Sequence, residues 1–240
     1  MLFIVKKNVK RCMAFASSLL TGKAKSGPGG GRILMYHSIG GTPKDHWLAI
    51  RVPEDAFERQ LAELKQSGYK TFPVSELIED SARVEREKGI IITFDDGYKD
   101  NATAAAEGLK KLGFRATFFV TTSYIDGTVT KKWAGGSTRS YMSWEDVRTL
   151  SRMGFEIGSH MVHHAALAEL KDAEMRLELQ RSKEEISAKI GKPVTVCSYP
   201  YGSVDAKVMA AAKEAGYAGA CSSLAGSNTT STSRPVSSFE

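Results

Sequence analysis

The chain has 240 residues, of which 42% are hydrophobic and 25% are charged, and its formal net charge is +6. This composition is that of an ordinary globular protein, long enough to bury a core without a disulfide or a structural metal. It argues against nucleic acid as a partner, because no basic stripe is interleaved with aromatic residues. The three cysteines are an odd number without C-x-x-C spacing, which argues against a disulfide framework.

Residues 1–31 are predicted to be a basic and apolar leader that ends in a glycine-rich break, ahead of a domain at 32–240. Apolar residues recur in it at helical spacing: Val5, Val9, Cys12, Ala16 and Leu19. This spacing favours a helix in the membrane interface, since the apolar run is shorter than the roughly 20 residues that span a bilayer. A signal peptide and a disordered leader are the alternatives. We expect peripheral membrane contact through residues 1–20 and a cytoplasmic or membrane-peripheral location, with secretion as the alternative.

From residue 32 onwards, short apolar runs alternate with helical patterns. The predicted strands cover residues 32–37, 69–72, 89–94, 116–120, 155–158, 194–199 and 217–221. The predicted helices cover residues 54–66, 102–112, 144–153, 167–190 and 204–215. Such repeated units imply parallel strands with right-handed crossovers, and roughly six or seven of them predict an α/β barrel, complete or incomplete. A doubly wound open sheet is the alternative.

Polar clusters lie at the ends of four predicted strands, and four of the chain's five histidines belong to them. Reacting groups lie at the carboxyl ends of parallel strands in either fold, so the clusters should converge on one site. In chain order they are His37, then Asp95 and Asp96, then His160, His163 and His164, and last Tyr199, Pro200 and Tyr201.

The acid pair and the histidines are the groups that can bind a metal. A metal on Asp95 or Asp96 relieves their repulsion and leaves the other carboxylate free as a base. A helix cap or a turn is the alternative for this pair. His160 and His164 are four residues apart, a spacing that can place both imidazoles on one side of a helical turn. Two histidines and one carboxylate suit zinc or a similar ion and leave a position for water. The alternative for each histidine is a packed core residue, and this alternative is favoured for His163.

Two segments contain the acid pair and the histidines: TFDDGYKDN at residues 93–101 and GSHMVHHAAL at residues 158–167. Both resemble motifs of the polysaccharide deacetylase family, which is carbohydrate esterase family four or the NodB homology type. The resemblance implies a distorted, seven-stranded (β/α) barrel with Asp95 as the catalytic base. It also implies one divalent metal ion on Asp96, His160 and His164, with zinc expected and cobalt or nickel as alternatives. His163 is implied to be a neighbour of this site.

Two more segments are similar to the family. RILMYHSI at residues 32–39 is similar to the start of members whose barrel order is rotated, which implies His37 as the general acid and Leu34 as a wall of the substrate pocket. CSYPYG at residues 197–202 is similar to the third motif. It implies that Pro200 and Tyr201 contact the substrate and that the backbone N–H of Tyr201 stabilises the oxyanion.

The third motif departs from the family pattern at Ser198, where an arginine that holds the base is usual. Another residue is therefore expected to orient Asp95, and Arg234 is the candidate.

The resemblance implies a hydrolase of amide bonds that removes an N-acetyl group from an amino sugar in a polysaccharide or glycoconjugate and releases acetate. The expected partner is this carbohydrate substrate. One alternative is an O-deacetylase or deformylase of a lipid-linked sugar, and another is a catalytically silent carbohydrate-binding barrel. Trp47, Trp133 and Tyr141 lie in predicted loops, where they can stack on sugar rings or simply pack.

Overall fold

The computed structural model describes residues 3–6, 32–40, 50–127 and 140–223. The described strands are β1 (Phe3–Lys6), β2 (Arg32–Tyr36), β3 (Ser38–Ile39), β4 (Arg51–Val52), β5 (Lys70–Phe72), β6 (Gly89–Phe94), β7 (Thr117–Val120), β8 (Glu156–Ser159), β9 (Val196–Tyr199) and β10 (Gly219–Ser222). The described helices are α1 (Glu54–Gln66), α2 (Val74–Glu79), α3 (Ser81–Arg86), α4 (Ala104–Lys111), α5 (Trp144–Arg152), α6 (Asp172–Ile190) and α7 (Ala206–Glu214). None of these helices is long and apolar enough to cross a membrane.

One curled, parallel sheet forms the centre of the molecule, with strand order β1-β10-β9-β8-β7-β6-β2. Strand β5 also pairs with β6, and β3 and β4 form a separate parallel pair. Strands β6 to β10 are neighbours in chain order, whereas a doubly wound sheet reverses its order at a switch point. The prediction of an α/β barrel is therefore confirmed, in the form of a half-barrel.

Strand β6 is buried on both faces, as its unbroken apolar run predicts. Ile90 and Ile92 belong to a large cluster that includes residues of helices α1, α4, α5, α6 and α7. Ile91 points to the opposite face, where it belongs to a cluster with Phe119 of β7 and Val196 of β9. This burial fixes the register of β6, and with it the position of the acidic residues that follow the strand.

Several elements differ from their prediction. The long charged helix begins at Asp172 rather than at residue 167, because Leu167–Glu169 forms a separate 3-10 turn with Leu167 fully buried. Helices α2 and α3 and the β3–β4 pair were not predicted. Helix α5 is capped by Ser143, whose hydroxyl accepts the N–H of Asp146.

Part of the predicted leader belongs to the sheet. Residues Phe3–Lys6 pair in parallel with β10, from Phe3 opposite Gly219 to Lys6 opposite Ser222. A helix over these residues is therefore wrong, because the open edge of β10 supplies backbone hydrogen bonds that no periodicity in the leader reveals. The rest of the leader lies outside the described residues, so the boundary at residue 31 and the membrane contact stay predictions.

Candidate active site

The predicted polar clusters converge at the carboxyl ends of the strands. His37 follows β2, the acid pair follows β6, His160 follows β8, and the turn at Pro200–Gly202 follows β9. Backbone hydrogen bonds hold two of the clusters against the neighbouring strands: the N–H of Asp95 donates to the carbonyl of Tyr36 in β2 at 3.0 Å, and the N–H of His160 donates to the carbonyl of Val120 in β7 at 2.8 Å. The chain thus brings its acids and histidines to one end of the sheet.

Asp96, His160 and His164 form a cluster in which one ligand atom from each lies within 4.8 Å of the others. Oδ1 of Asp96 is 3.4 Å from Nε2 of His160 and 3.1 Å from Nε2 of His164. This oxygen is buried and accepts no hydrogen bond with proper geometry from the described residues. A buried carboxylate oxygen facing two imidazole nitrogens is a donor set that a divalent metal satisfies, so these residues fit a metal ion.

A hydrogen bond on the far side of the ring determines the tautomer of His160. Nδ1 of His160 lies 2.7 Å from the carbonyl oxygen of Ser198, and a carbonyl can only accept. Nδ1 therefore carries the proton, which leaves the lone pair of Nε2 directed at the cluster. A backbone carbonyl behind a histidine is the usual arrangement for a metal ligand.

The charges of the cluster favour a cation between its members. Burial acts to raise the pKa of Asp96, but His160 and His164, helped by His37, outweigh it and hold that pKa well below 3.8. Burial acts to lower the pKa of His160, but Asp96 and Asp95 outweigh it and raise that pKa above 6.5. Both shifts mean that positive charge is stabilised at this point, whether a proton or a metal ion supplies it.

The loop that carries the second histidine is not a helical turn, so that prediction is wrong. Residues 160–166 lie outside any helix or strand, and Met161 and His164 adopt left-handed backbone angles with φ of 67° and 56°. His164 thereby reaches Asp96, while the side chain of His163 points away and is 68% exposed. Nδ1 of His163 lies 2.5 Å from Oε1 of Glu178 instead. His163 is therefore a neighbour of the cluster, as the resemblance implies, and the packed core histidine favoured for this position is wrong.

Ser198 contacts the predicted base. Its hydroxyl donates to Oδ2 of Asp95 at 3.2 Å, and both residues are buried. The same residue holds His160 through its carbonyl, so one position at the end of β9 contacts both halves of the site. Sequence reasoning assigned the orientation of Asp95 to Arg234, which lies outside the described residues. It missed Ser198 because a serine at the position of the family's arginine suggests that the contact to the base has been lost.

Comparison with known proteins identifies the family. A family model described as polysaccharide deacetylase matches residues 82–220. The chain belongs to the polysaccharide deacetylase family. It is also 31% identical over 187 residues to YxkH of Bacillus subtilis (strain 168), whose name assigns it to the same family. The match covers 77% of this chain and 61% of YxkH, so the chain spans about three fifths of that relative's length.

Solved structures of the family have the same fold. A polysaccharide deacetylase from Bacillus cereus is 28% identical, with a TM-score of 0.66 over 80% of this chain and 57% of that one. The deacetylase PplD of Streptococcus pyogenes, solved in complex with acetate, is 24% identical, with a TM-score of 0.68 over 80% of this chain and 83% of that one. At this identity the second likeness shows the fold alone.

In this polysaccharide deacetylase family member, two more of the predicted residues, His37 and Tyr201, interact with the cluster. His37 is partly buried, and its charge contributes to the lowered pKa of Asp96. Tyr201 is 65% exposed, and its ring lies edge-on to His164 with centroids 4.7 Å apart. Pro200 before it is buried. Asn101, which sequence reasoning missed although it ends the first motif, is fully buried and donates to the carbonyl of His37 at 2.7 Å.

Two predicted sugar contacts belong to the core. Leu34 is 6% exposed and lies with Ile90 and Ile92 in the large cluster that packs against the helices, which speaks against a role as a wall of the substrate pocket. Tyr141 is 9% exposed and packs against Tyr98 and Tyr124, with ring centroids 5.1 and 4.7 Å away. Tyr141 therefore packs rather than stacks on a sugar, while Trp47 and Trp133 lie outside the described residues.

Proposed function

We propose that this protein removes an N-acetyl group from an amino sugar in a polysaccharide or glycoconjugate and releases acetate, in a metal-dependent hydrolysis. The observation that carries the proposal is the convergence of Asp95 with the cluster of Asp96, His160 and His164. Two carboxylates and two histidines from separate elements meet at the carboxyl ends of β6 and β8. Membership of the polysaccharide deacetylase family supports the reaction class.

Asp96, His160 and His164 would hold one divalent ion, with zinc as the proposed ion because imidazole and carboxylate ligands suit it. When bound, such an ion supplies Lewis-acid polarisation of the acetyl carbonyl and makes water more acidic. Three protein ligands leave a coordination position open for the reaction.

Asp95 is proposed to take the proton from the attacking water. It is 3% exposed, and its neighbour Asp96 is committed to the histidines, so the two acids have separate partners. The hydroxyl of Ser198 lies 3.2 Å from Oδ2 of Asp95, and this hydrogen bond restricts the orientation of the Asp95 carboxylate. A base fixed in this way loses little freedom when the reaction begins.

His37 is proposed to give a proton to the departing amine. A sugar amine leaves poorly unless it is protonated, and an imidazole can supply the proton near neutral pH. The side chain of Asn101 donates to the backbone carbonyl of His37, and this hydrogen bond supports a defined position for the His37 ring. The backbone N–H of Tyr201 is proposed to stabilise the charge that develops on the carbonyl oxygen. Its left-handed φ of 57° is the kind of strain that is found at functional sites.

A cavity beside Tyr201 supports a glycan substrate. It has a volume of about 540 Å³ and lies between residues 166–169 and residues 201–204. The exposed ring of Tyr201 borders it, next to His164, and an aromatic ring can pack against the apolar face of a sugar. We propose that this cavity receives the sugar next to the one that carries the acetyl group.

The decisive experiment compares two acetyl donors. Acetate release is measured from a short N-acetylglucosamine oligomer and from an O-acetylated sugar ester, with the wild-type protein and the His37→Ala variant. The proposal expects release from the amide, with a loss of about 10²–10⁴-fold in the variant. The ester should depend far less on His37, because an alcohol leaves more easily than an amine. Release from the ester alone would favour an O-deacetylase instead.

A further inference from the structure

The loop that carries the second histidine is held by a carboxylate that the proposed reaction does not use. This histidine loop (residues 160–164) contains two non-glycine residues with left-handed backbone angles, Met161 and His164. Such angles are unfavourable for residues with a Cβ, and they persist only where the surroundings fix them. The position of His164 beside Asp96 therefore depends on contacts made by the rest of the loop.

Glu178, in the middle of α6, supplies the contacts on one side. Its Oε2 accepts the backbone N–H groups of Val162 and His163, both at 2.9 Å. Its Oε1 lies 2.5 Å from Nδ1 of His163. Glu178 is buried, so these three groups are the partners that compensate for taking its charge out of water.

The residues after β7 hold the same loop from the other side. The carbonyls of Met161 and Val162 accept the N–H groups of Thr122 and Ser123 at 3.1 and 3.0 Å. These contacts use the carbonyls of the loop, whereas Glu178 takes its amides, including the amide of the residue directly before His164. The two sets of contacts together determine the path of the backbone into His164.

We propose, on the basis of the proposed metal site, that Glu178 is a positioning residue that presets His164 for metal binding. The loop is then already ordered when the metal arrives, so the ordering does not subtract from the affinity. Glu178 acts on the loop backbone, through the amides of Val162 and His163, one step behind His164. Partners of this kind, one step behind the ligands, typically change metal affinity by about 10–100-fold when they are removed.

The test measures cobalt binding by the full-length protein, by competition with a chelator and by the visible absorption of the bound Co²⁺. Glu178→Ala should bind cobalt about 10–100-fold more weakly and with an altered spectrum. Glu178→Gln should change both in the same direction but less, because one accepting oxygen remains. The matched control is Glu174→Gln, exposed one turn earlier on the same helix, which should behave like the wild type. His163→Ala should also stay close to the wild type, since both amides keep their acceptor.

A folded Glu178→Ala protein with wild-type cobalt affinity and spectrum would overturn the proposal. Folding is checked by circular dichroism and thermal unfolding of the metal-free proteins, and if Glu178→Ala does not fold, the same criteria apply to Glu178→Gln. Wild-type protein that binds no metal would overturn the proposed function together with this inference. Wild-type protein that binds cobalt, with variants that bind it equally well, would overturn this inference alone.

Discussion

Ser198→Ala removes one hydrogen bond to the proposed base and leaves the rest of the site in place. The hydroxyl of Ser198 donates to Oδ2 of Asp95 at 3.2 Å, while its backbone carbonyl, which the substitution keeps, accepts from His160. A hydrogen bond to a charged group contributes about 1.5–3 kcal/mol. This one is long for a hydroxyl and a carboxylate, so the lower end, about 1.5 kcal/mol, applies. That value corresponds to a loss of about tenfold in kcat.

The assay follows acetate release together with the metal content of each variant. Ser198→Ala should keep its metal, because the carbonyl behind His160 remains, and should lose about tenfold in kcat. Ser151→Ala, a buried serine on α5, is the matched control and should be unchanged. An unchanged kcat at full metal content would refute the orienting role of Ser198. Loss of metal would show that the residue acts on His160 instead.

Three further predictions follow from other parts of the structure. Tyr201→Ala should raise KM for an oligomer by tenfold or less, because the ring contact with the sugar contributes about 0.5–1.5 kcal/mol. The substitution should leave kcat unchanged, because the proposed oxyanion donor is a backbone group. An unchanged KM would contradict the sugar contact. Burial raises the pKa of Glu156 above 4.5. The protonated side chain therefore contributes stability below pH 4.5, and this contribution is lost as the pH rises through the raised pKa. The free energy of unfolding, measured in urea at acidic and neutral pH, should depend less on pH in Glu156→Gln. Deletion of residues 1–6 should lower the free energy of unfolding by about 1–2 kcal/mol by exposing the edge of β10; unchanged stability would assign these residues to the leader.

Elements with a long, regular pattern could be predicted from the sequence. Helix α1 has the predicted bounds, and its buried residues are the three apolar ones at helical spacing, Phe57, Leu61 and Leu64. Strand β6 also has the predicted bounds, because an unbroken apolar run of this length suits a strand covered on both sides. The convergence of the site was predictable for a related reason, since parallel strands place their carboxyl ends at one edge.

The missed features depend on contacts between residues far apart in the chain. The histidine loop is hydrogen-bonded to Glu178 of helix α6, and Asp95 is hydrogen-bonded to Ser198, 103 positions away. Leu34 matches a family motif, but the face that it occupies follows from the register of β2 against β6. Strand β1 needs the edge of β10, more than 200 residues later in the chain. Local spacing contains none of this information.

Asp96, His160 and His164 are proposed to hold the metal on which acetate release depends. Its most direct test strips the wild-type protein of metal and measures acetate release from an N-acetylglucosamine oligomer before and after zinc is restored, with His164→Ala in parallel. We expect no release from the stripped protein, recovery with one zinc ion per chain, and neither zinc binding nor release in His164→Ala. Equal release with and without metal, or full activity in His164→Ala, would contradict it.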